Sequence, residues 1–139
     1  MAREIKFRAW DKKSKKMRVV DSIGFGAISI YEKGYPVCNM IGHDIINEKA
    51  IIIHRDSPHF ELMQYTGLKD ECGKEIYEGD ICKNIVDNHI LKVTYWETDG
   101  SYMFEDQNEN GNGYNLYEFG EVEVIGNIFE NPELLEVVS

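Results

Sequence analysis

Residues 96–139 contain no lysine and no arginine, yet they hold eleven aspartates and glutamates. Residues 1–18 are the reverse, with eight Lys/Arg against only Glu4 and Asp11. A chain divided in this way carries a field that steers association, either within the molecule or head to tail between copies. The absence of basic residues argues against direct nucleic-acid contact by the C-terminal part, because phosphates would be repelled. Long apolar runs are missing too: no stretch of about 18 apolar residues is present, which excludes a membrane-spanning helix. The opening Met1-Ala2-Arg3-Glu4-Ile5 has no apolar segment, so no secretory signal is expected. Cysteine is scarce. Cys38, Cys72 and Cys82 are odd in number and unclustered, which reads as reduced thiols in a cytosolic protein rather than a disulfide framework.

What is present suffices for a core. The chain has 139 residues, 42% of them hydrophobic, with eight tyrosines, six phenylalanines and two tryptophans, so disorder throughout is not expected. Ile5, Phe7 and Ala9 alternate with Glu4, Lys6 and Arg8, the period of a half-buried strand. After the polar turn 11–16, Met17 to Val20 resumes an extended pattern, so residues 3–20 read as a β-hairpin with a lysine-rich tip. Between 21 and 42 glycines and Pro36 leave no room for useful helices. Phe25–Tyr31 and Tyr35–Met40 read as short strands, and 41–47 is ambiguous. Ala50 to His54 is a continuous β-branched run, expected as a strand buried on both faces. Phe60 to Tyr65 reads as another strand.

Further on the strands are cleaner: Ile81–Val86, Ile90–Trp96, Ser101–Glu105, Tyr114–Phe119 and Glu121–Ile125. Residues 105–113 form a polar loop, expected to be exposed and mobile. Asn131-Pro132-Glu133 reads as a helix start with Asn131 as N-cap, followed by one or two turns. Five short strands between about Lys74 and Ile128, joined by glycine turns, predict an SH3-like barrel. The expected organisation is mainly β: an N-terminal β-rich lobe over residues 1–66 with the basic hairpin, packed against the larger barrel over 67–139.

Chemistry is sparse. Candidate metal pairs are Cys38 with His43, His54 with His59, and Cys72 with Cys82, but none has ligand spacing, so no metal and no cofactor is expected. Cys72 or Cys82 with His89 would be needed for nucleophilic catalysis, and no signature supports it. No catalytic residue is expected. Asp80 reads as a turn-fixing carboxylate, and Asp70, Glu75 and Glu78 as part of a charge-mixed hairpin with Lys69 and Lys74. Gly24-Phe25-Gly26 is not a phosphate loop. Tyr95, Trp96, Tyr102, Tyr114 and Tyr117 are the candidate binding surface, with core filling as the competing role of such aromatics. Lys12, Lys13, Lys15, Lys16 and Arg18 are the alternative, nucleic-acid candidates. Clustering of Glu97, Glu105, Asp106, Glu118, Glu121 and Glu123 on one face would make an acidic DNA mimic.

Three stretches carry a resemblance. They are Ile5-Lys6-Phe7-Arg8-Ala9-Trp10-Asp11; Gln64 to Asp70 followed by Gly73 to Ile81; and Val124 to Leu135. Together they resemble the YopX-like family of phage and prophage proteins, while residues 21–60 match no known pattern. Cys72 and Cys82 depart from the family's usual residues. The resemblance implies a mainly β protein with an SH3-type barrel in its C-terminal half, a phage origin and cytoplasmic expression in the host bacterium, and it implies no activity. The expectation is therefore a phage accessory protein that is not an enzyme. It would work through protein–protein contacts, as a homo-oligomer and with a phage or host partner.

Overall fold

The computed structural model describes residues 4–25, 36–44, 46–118 and 121–136. The protein is mainly β, its strands arranged antiparallel in every pair whose register is given below. It divides into two compact units, Lys6–Met63 and Gln64–Ser139 together with Met1–Ile5.

The first unit is built on β1 (Phe7–Asp11), β2 (Lys16–Gly24), β3 (Val37–Asp44), β4 (Lys49–Asp56) and the start of β5 (Phe60–Lys69). Their order across the sheet is β4-β3-β2-β1-β5. The predicted basic hairpin is β1–β2, in register Arg8 opposite Val19 and Asp11 opposite Lys16. One face gathers Ala9, Cys38 and Met40, fully buried, against Val20, Ile53, Phe60 and Leu62. The alternation that predicted the hairpin continues one residue further than expected, and places Asp11 on this buried face.

Asp11 organises the hairpin tip. Its carboxylate accepts the Lys13 N–H at 3.1 Å and the Ser14 hydroxyl at 2.8 Å. It also accepts Arg18 Nε–H at 3.1 Å, and Arg55 Nε–H and Nη2–H at 2.8 and 3.2 Å. Burial would raise its pKa, but the donors Arg55, Ser14 and Arg18 outweigh that and hold it well below the usual carboxylate range. Lys15, at φ 55°, completes the turn in a left-handed conformation.

The run Ala50 to His54 is a strand, but it is not buried on both faces. Strand β4 is the outermost of the order, and Ile51 and Ile52 stay 42% and 47% exposed. A β-branched run fits the edge of a sheet as well as its centre, because the preference reports packing on a pleated surface, not position. The expected strand over Phe25–Tyr31 lies outside the described residues, apart from Phe25 itself.

The second unit takes the rest of β5, which pairs with β6 (Glu75–Tyr77), and a five-stranded sheet. That sheet contains β7 (Asp80–Asn84), β8 (Ile90–Trp96), β9 (Ser101–Asp106), β10 (Asn112–Asn115) and β11 (Val122–Asn127), in the order β10-β9-β8-β7-β11. Its inner face carries Cys82, Leu91, Val93, Phe104, Val122 and Val124, packed with Ile76 and Leu116. Four of the five expected strands occur where they were read, whereas the fourth in chain order, Tyr114–Phe119, is displaced: the strand is Asn112–Asn115 and Leu116–Glu118 is a 3-10 turn. The five strands present do not close. Strands β10 and β11 are the two margins of the sheet, and no pairing joins them among the described residues. Strand spacing sets the number of strands; closure also requires matched tilt and shear, and the four residues of β10 make a short margin.

Two local expectations change. Residues 105–113 are not simply an exposed loop. Asp106 is buried and caps a 3-10 turn at Gln107–Glu109 by accepting the Asn108 N–H. Asn110 and Gly111, at φ 58° and 80°, then reverse the chain into β10. At the C-terminal end only a 3-10 turn forms, Pro132–Leu135. Asn131 occupies the cap position but makes no side-chain cap bond; its Oδ1 accepts the Asn127 N–H instead.

The turns between β5 and β7 follow the sequence reading. Gly73 and Gly79 take φ 85° and 87°, a region that costs other L-residues about 1 kcal/mol or more. The left-handed residue is Gly73, so Cys72 before it is unstrained. Asp80 is buried and accepts the Tyr77 N–H at 2.7 Å. Asp70 accepts three backbone N–H groups, from Cys72 (2.9 Å), Lys74 (2.8 Å) and Val124 (2.9 Å). Burial would raise its pKa, but these donors hold it below the ordinary value.

Candidate functional site

Two places in the second unit combine a cavity with polar or titratable side chains. They lie toward opposite ends of one face of the β8–β9 pair, because that ladder sets Leu91 opposite Asp106, Val93 opposite Phe104 and Tyr95 opposite Tyr102.

At the Asp106 end the turn between β7 and β8 brings His89 against three carboxylates. His89 Nδ1 is 2.7 Å from Asp106 Oδ2, 3.5 Å from Asp87 Oδ2 and 3.9 Å from Glu109 Oε1. Each carboxylate has its other oxygen held by a donor. Asp87 Oδ1 accepts the His89 N–H, Asp106 Oδ1 accepts the Asn108 N–H, and Glu109 Oε2 accepts the Tyr114 hydroxyl. The hydrogen bond to Asp106 raises the His89 pKa against the opposing effect of desolvation, and the charges of Asp106, Asp87 and Glu109 add to it. The bond to Glu109 likewise raises Tyr114. A cavity of about 290 Å³ opens over this group, lined by Asp87, Asp106, Glu109, Tyr114 and Glu118.

At the other end Tyr95 and Tyr102 meet edge to face, ring centroids 5.3 Å apart. Such pairs contribute about 0.5–1.5 kcal/mol beyond area burial. The Tyr102 hydroxyl donates to Gln64 Oε1 at 2.8 Å, which fixes that ring, while Tyr95 stays 44% exposed. A cavity of about 380 Å³ lies beside them, lined also by Tyr65, Thr66, Gly100 and Ser101.

The five aromatic candidates therefore do not form one surface. Tyr95 and Tyr102 share a cavity. Tyr114 belongs to the His89 group. Trp96 sits on the reverse face, over Gly113, and donates its Nε1–H to Glu105 at 2.8 Å. Tyr117 stands 80% exposed on the 3-10 turn Leu116–Glu118. Phe119 lies outside the described residues.

The chain matches the family model described as "YopX protein" over residues 6–136. It belongs to the YopX family. Two solved structures are similar. Protein EF1440 from Enterococcus faecalis aligns with TM-score 0.61 and 25% identity, over 97% of this chain and 100% of that one. Protein yopX from Bacillus subtilis aligns with TM-score 0.56 and 23% identity, over 96% and 98%, a likeness of fold. No curated protein matches the chain.

The remaining candidates of this YopX-family chain are distributed as follows. Lys12 pairs with Glu61 at 2.8 Å and Arg18 with Asp11, while Lys13, Lys15 and Lys16 have no such pairing described. Lys13 and Lys15 are exposed in the hairpin turn, and Lys16 opens β2. Among the acidic candidates, Asp106 is buried, and Glu105 is tied to Trp96 and to Lys92 at 3.4 Å. Cys38 is buried and His43 exposed on the same strand. His54 bonds Asn39, and His59 bonds Asp56 at 2.9 Å. Cys72 is exposed whereas Cys82 is buried. Burial pushes the Cys38 thiol up to about 11, which makes it inert at neutral pH.

The sequence reading passed over Asp11 and the grouping of His89 with Asp106 and Glu109. Asp11 had a signal: it continues the alternation Phe7, Ala9 by one step. The His89 group had none, since its members lie about 20 residues apart and meet only through the β8–β9 register.

Proposed function

We infer that this YopX-family protein is a phage or prophage accessory protein that works by binding another protein and catalyses no reaction. The observation that carries the reading is the Tyr95–Tyr102 pair beside its cavity. The lining residues are tyrosines, Gln64, Thr66, Gly100 and Ser101, groups that offer flat apolar area and hydrogen bonds but no acid, base or activated nucleophile at neutral pH. An SH3-like mode, in which an extended peptide lies across paired aromatics, fits such a surface. The phage or prophage setting and the cytoplasm of a host bacterium as the place of action come from the resemblance of the Ile5–Asp11 and Gln64–Ile81 stretches. The opposite charge of the chain's two ends supports self-association as well.

The test is affinity capture from host cell extract with the wild-type protein and with Tyr95→Ala, the captured proteins being identified by mass spectrometry. A partner held by wild type and lost by the variant supports the reading. Identical captures by both proteins would refute the role of the tyrosine pair. Light scattering at increasing concentration decides the self-association, and a strict monomer would remove it.

Nucleic-acid binding by the hairpin turn is the second reading, favoured by the exposure of Lys13 and Lys15. A low-salt gel shift lost on replacing Lys12, Lys13, Lys15, Lys16 and Arg18 by alanine would support it, and no shift at all would remove it.

A further inference from the structure

We propose that His89, Asp106 and Glu109 form a binding site for a first-row divalent transition-metal cation, of the kind Zn²⁺ represents. One ligand atom from each lies within 4.8 Å of the others. The proposal is independent of the tyrosine surface.

Three features support it. The first is the donor set. An imidazole nitrogen with carboxylate oxygens suits Zn²⁺ and its neighbours, whereas Ca²⁺ and Mg²⁺ take oxygen shells. The second is the geometry. A tetrahedral zinc site with bonds of about 2.05 Å separates its ligand atoms by about 3.3 Å. Asp87 Oδ2 is already 3.5 Å from His89 Nδ1, Glu109 Oε1 is at 3.9 Å and Asp106 Oδ2 at 2.7 Å. Shifts of about 0.6 Å or less, by side-chain rotation, bring these three contacts of His89 to that separation, and the ligand atoms of His89, Asp106 and Glu109 all start within 4.8 Å of one another. The carboxylates are aimed from behind: Asn108 N–H, the Tyr114 hydroxyl and His89 N–H hold the far oxygens of Asp106, Glu109 and Asp87. Outer partners of this kind orient metal ligands. The third is access and charge. The cavity over the group gives a path from solvent, and its lining contains four carboxylates, Tyr114 and no lysine or arginine. Even a protonated His89 leaves that lining negative.

The bound cation would replace the proton on His89 Nδ1 and join the β7–β8 turn to the β9–β10 hairpin. Water from the cavity side completes the set, with Asp87 beside His89 adding negative charge.

The experiment titrates Zn²⁺ into chelator-stripped, tag-free protein against a chromophoric competitor. One Zn²⁺ per chain is expected, undiminished by excess Mg²⁺. His89→Gln should lose affinity by tenfold or more, and Glu109→Gln by about tenfold. Backbone amide NMR on wild type provides a measurement that does not depend on variants folding: zinc should shift residues 84–90 and 106–114. The absence of a stoichiometric site, zinc binding unchanged in a folded His89→Gln, or shifts centred on His43, His54 or His59 would each overturn the assignment.

Discussion

Replacing Asp11 by alanine should destabilise the first unit by about 3 kcal/mol while leaving the second intact. The carboxylate is fully buried and bridges Arg18 and Arg55, whose side chains are 13% and 20% exposed. Removing one member of a buried ion pair costs about 3–5 kcal/mol, because the opposite charge is left without a partner. Both guanidiniums reach some water here, so the low end applies, and the freed Lys13 N–H lies at an exposed turn. We expect about 3 kcal/mol. A unit of roughly 60 residues has about 3–9 kcal/mol in all, so the loss is a third of its stability or more. Asp11→Asn keeps the size and an acceptor for the turn, and should cost about 2 kcal/mol.

The chain offers its own assay. Its two tryptophans divide between the units, Trp10 in the first and Trp96 in the second. Urea unfolding followed in a Trp96→Phe background reports the first unit, and in a Trp10→Phe background the second. Because two units need not unfold together, each transition is fitted by itself. The pH dependence adds a check of sign. Asp11 has its pKa lowered on folding, so its contribution is complete above the unfolded value near 3.9 and is lost as pH falls through the folded value. Wild type should therefore lose more stability than Asp11→Asn between pH 5 and pH 3. A cost below about 1 kcal/mol for Asp11→Ala, or equal acid sensitivity in both proteins, would refute the account.

Other outcomes follow from the second unit and the thiols. Asp70→Ala leaves the buried Val124 N–H and two turn N–H groups without their acceptor, and should cost about 3 kcal/mol in the Trp96-monitored transition. Gly113→Ala places a Cβ inside van der Waals contact with the Trp96 ring. The ring must swing off Glu105, giving a red-shifted emission and a loss of about 1–2 kcal/mol. Ellman's reagent should label Cys72 alone in the native protein, since Cys38 and Cys82 are buried, and all three thiols in guanidinium chloride.

The elements most legible in the sequence were those whose signals are local. Alternation through Phe7 and Ala9, and again through Leu91 and Val93, reports one buried face, and the structure buries Ala9, Leu91 and Val93. Gly73 and Gly79 announce turns because few other residues tolerate their φ. What failed depended on neighbours. Ile51 and Ile52 have the composition of an interior strand, yet they lie at the margin, and only the sheet order reveals it. Asn131 and Pro132 have the letters of a helix start, but the Asn127 N–H takes the side chain first. Of the candidate sites, Tyr95 and Tyr102 were legible as aromatics on adjacent strands, but their edge-to-face meeting was not. His89 and Asp106 were considered separately in the sequence, with cysteines and with other acidic residues, and nothing linked them to each other or to Glu109 until the β8–β9 register brought the three together.

The order β10-β9-β8-β7-β11 seats the last strand beside the first of its sheet. Val122 pairs with Asn84, and the Val124 N–H reaches back to Asp70 across 54 positions. On the ribosome, β7 and β8 emerge well before the segment that covers Ile81 and Cys82 on their other side. Until residues 122–127 have left the tunnel, β7 has an open margin. Closing so distant a pair is slow relative to the local hairpins, and unpaired strand margins are where nascent chains stick to one another. A stalled or truncated chain lacking this short segment would lose more than a margin strand: the Asp70 turn would lose the N–H that anchors it, and the sheet its final seam.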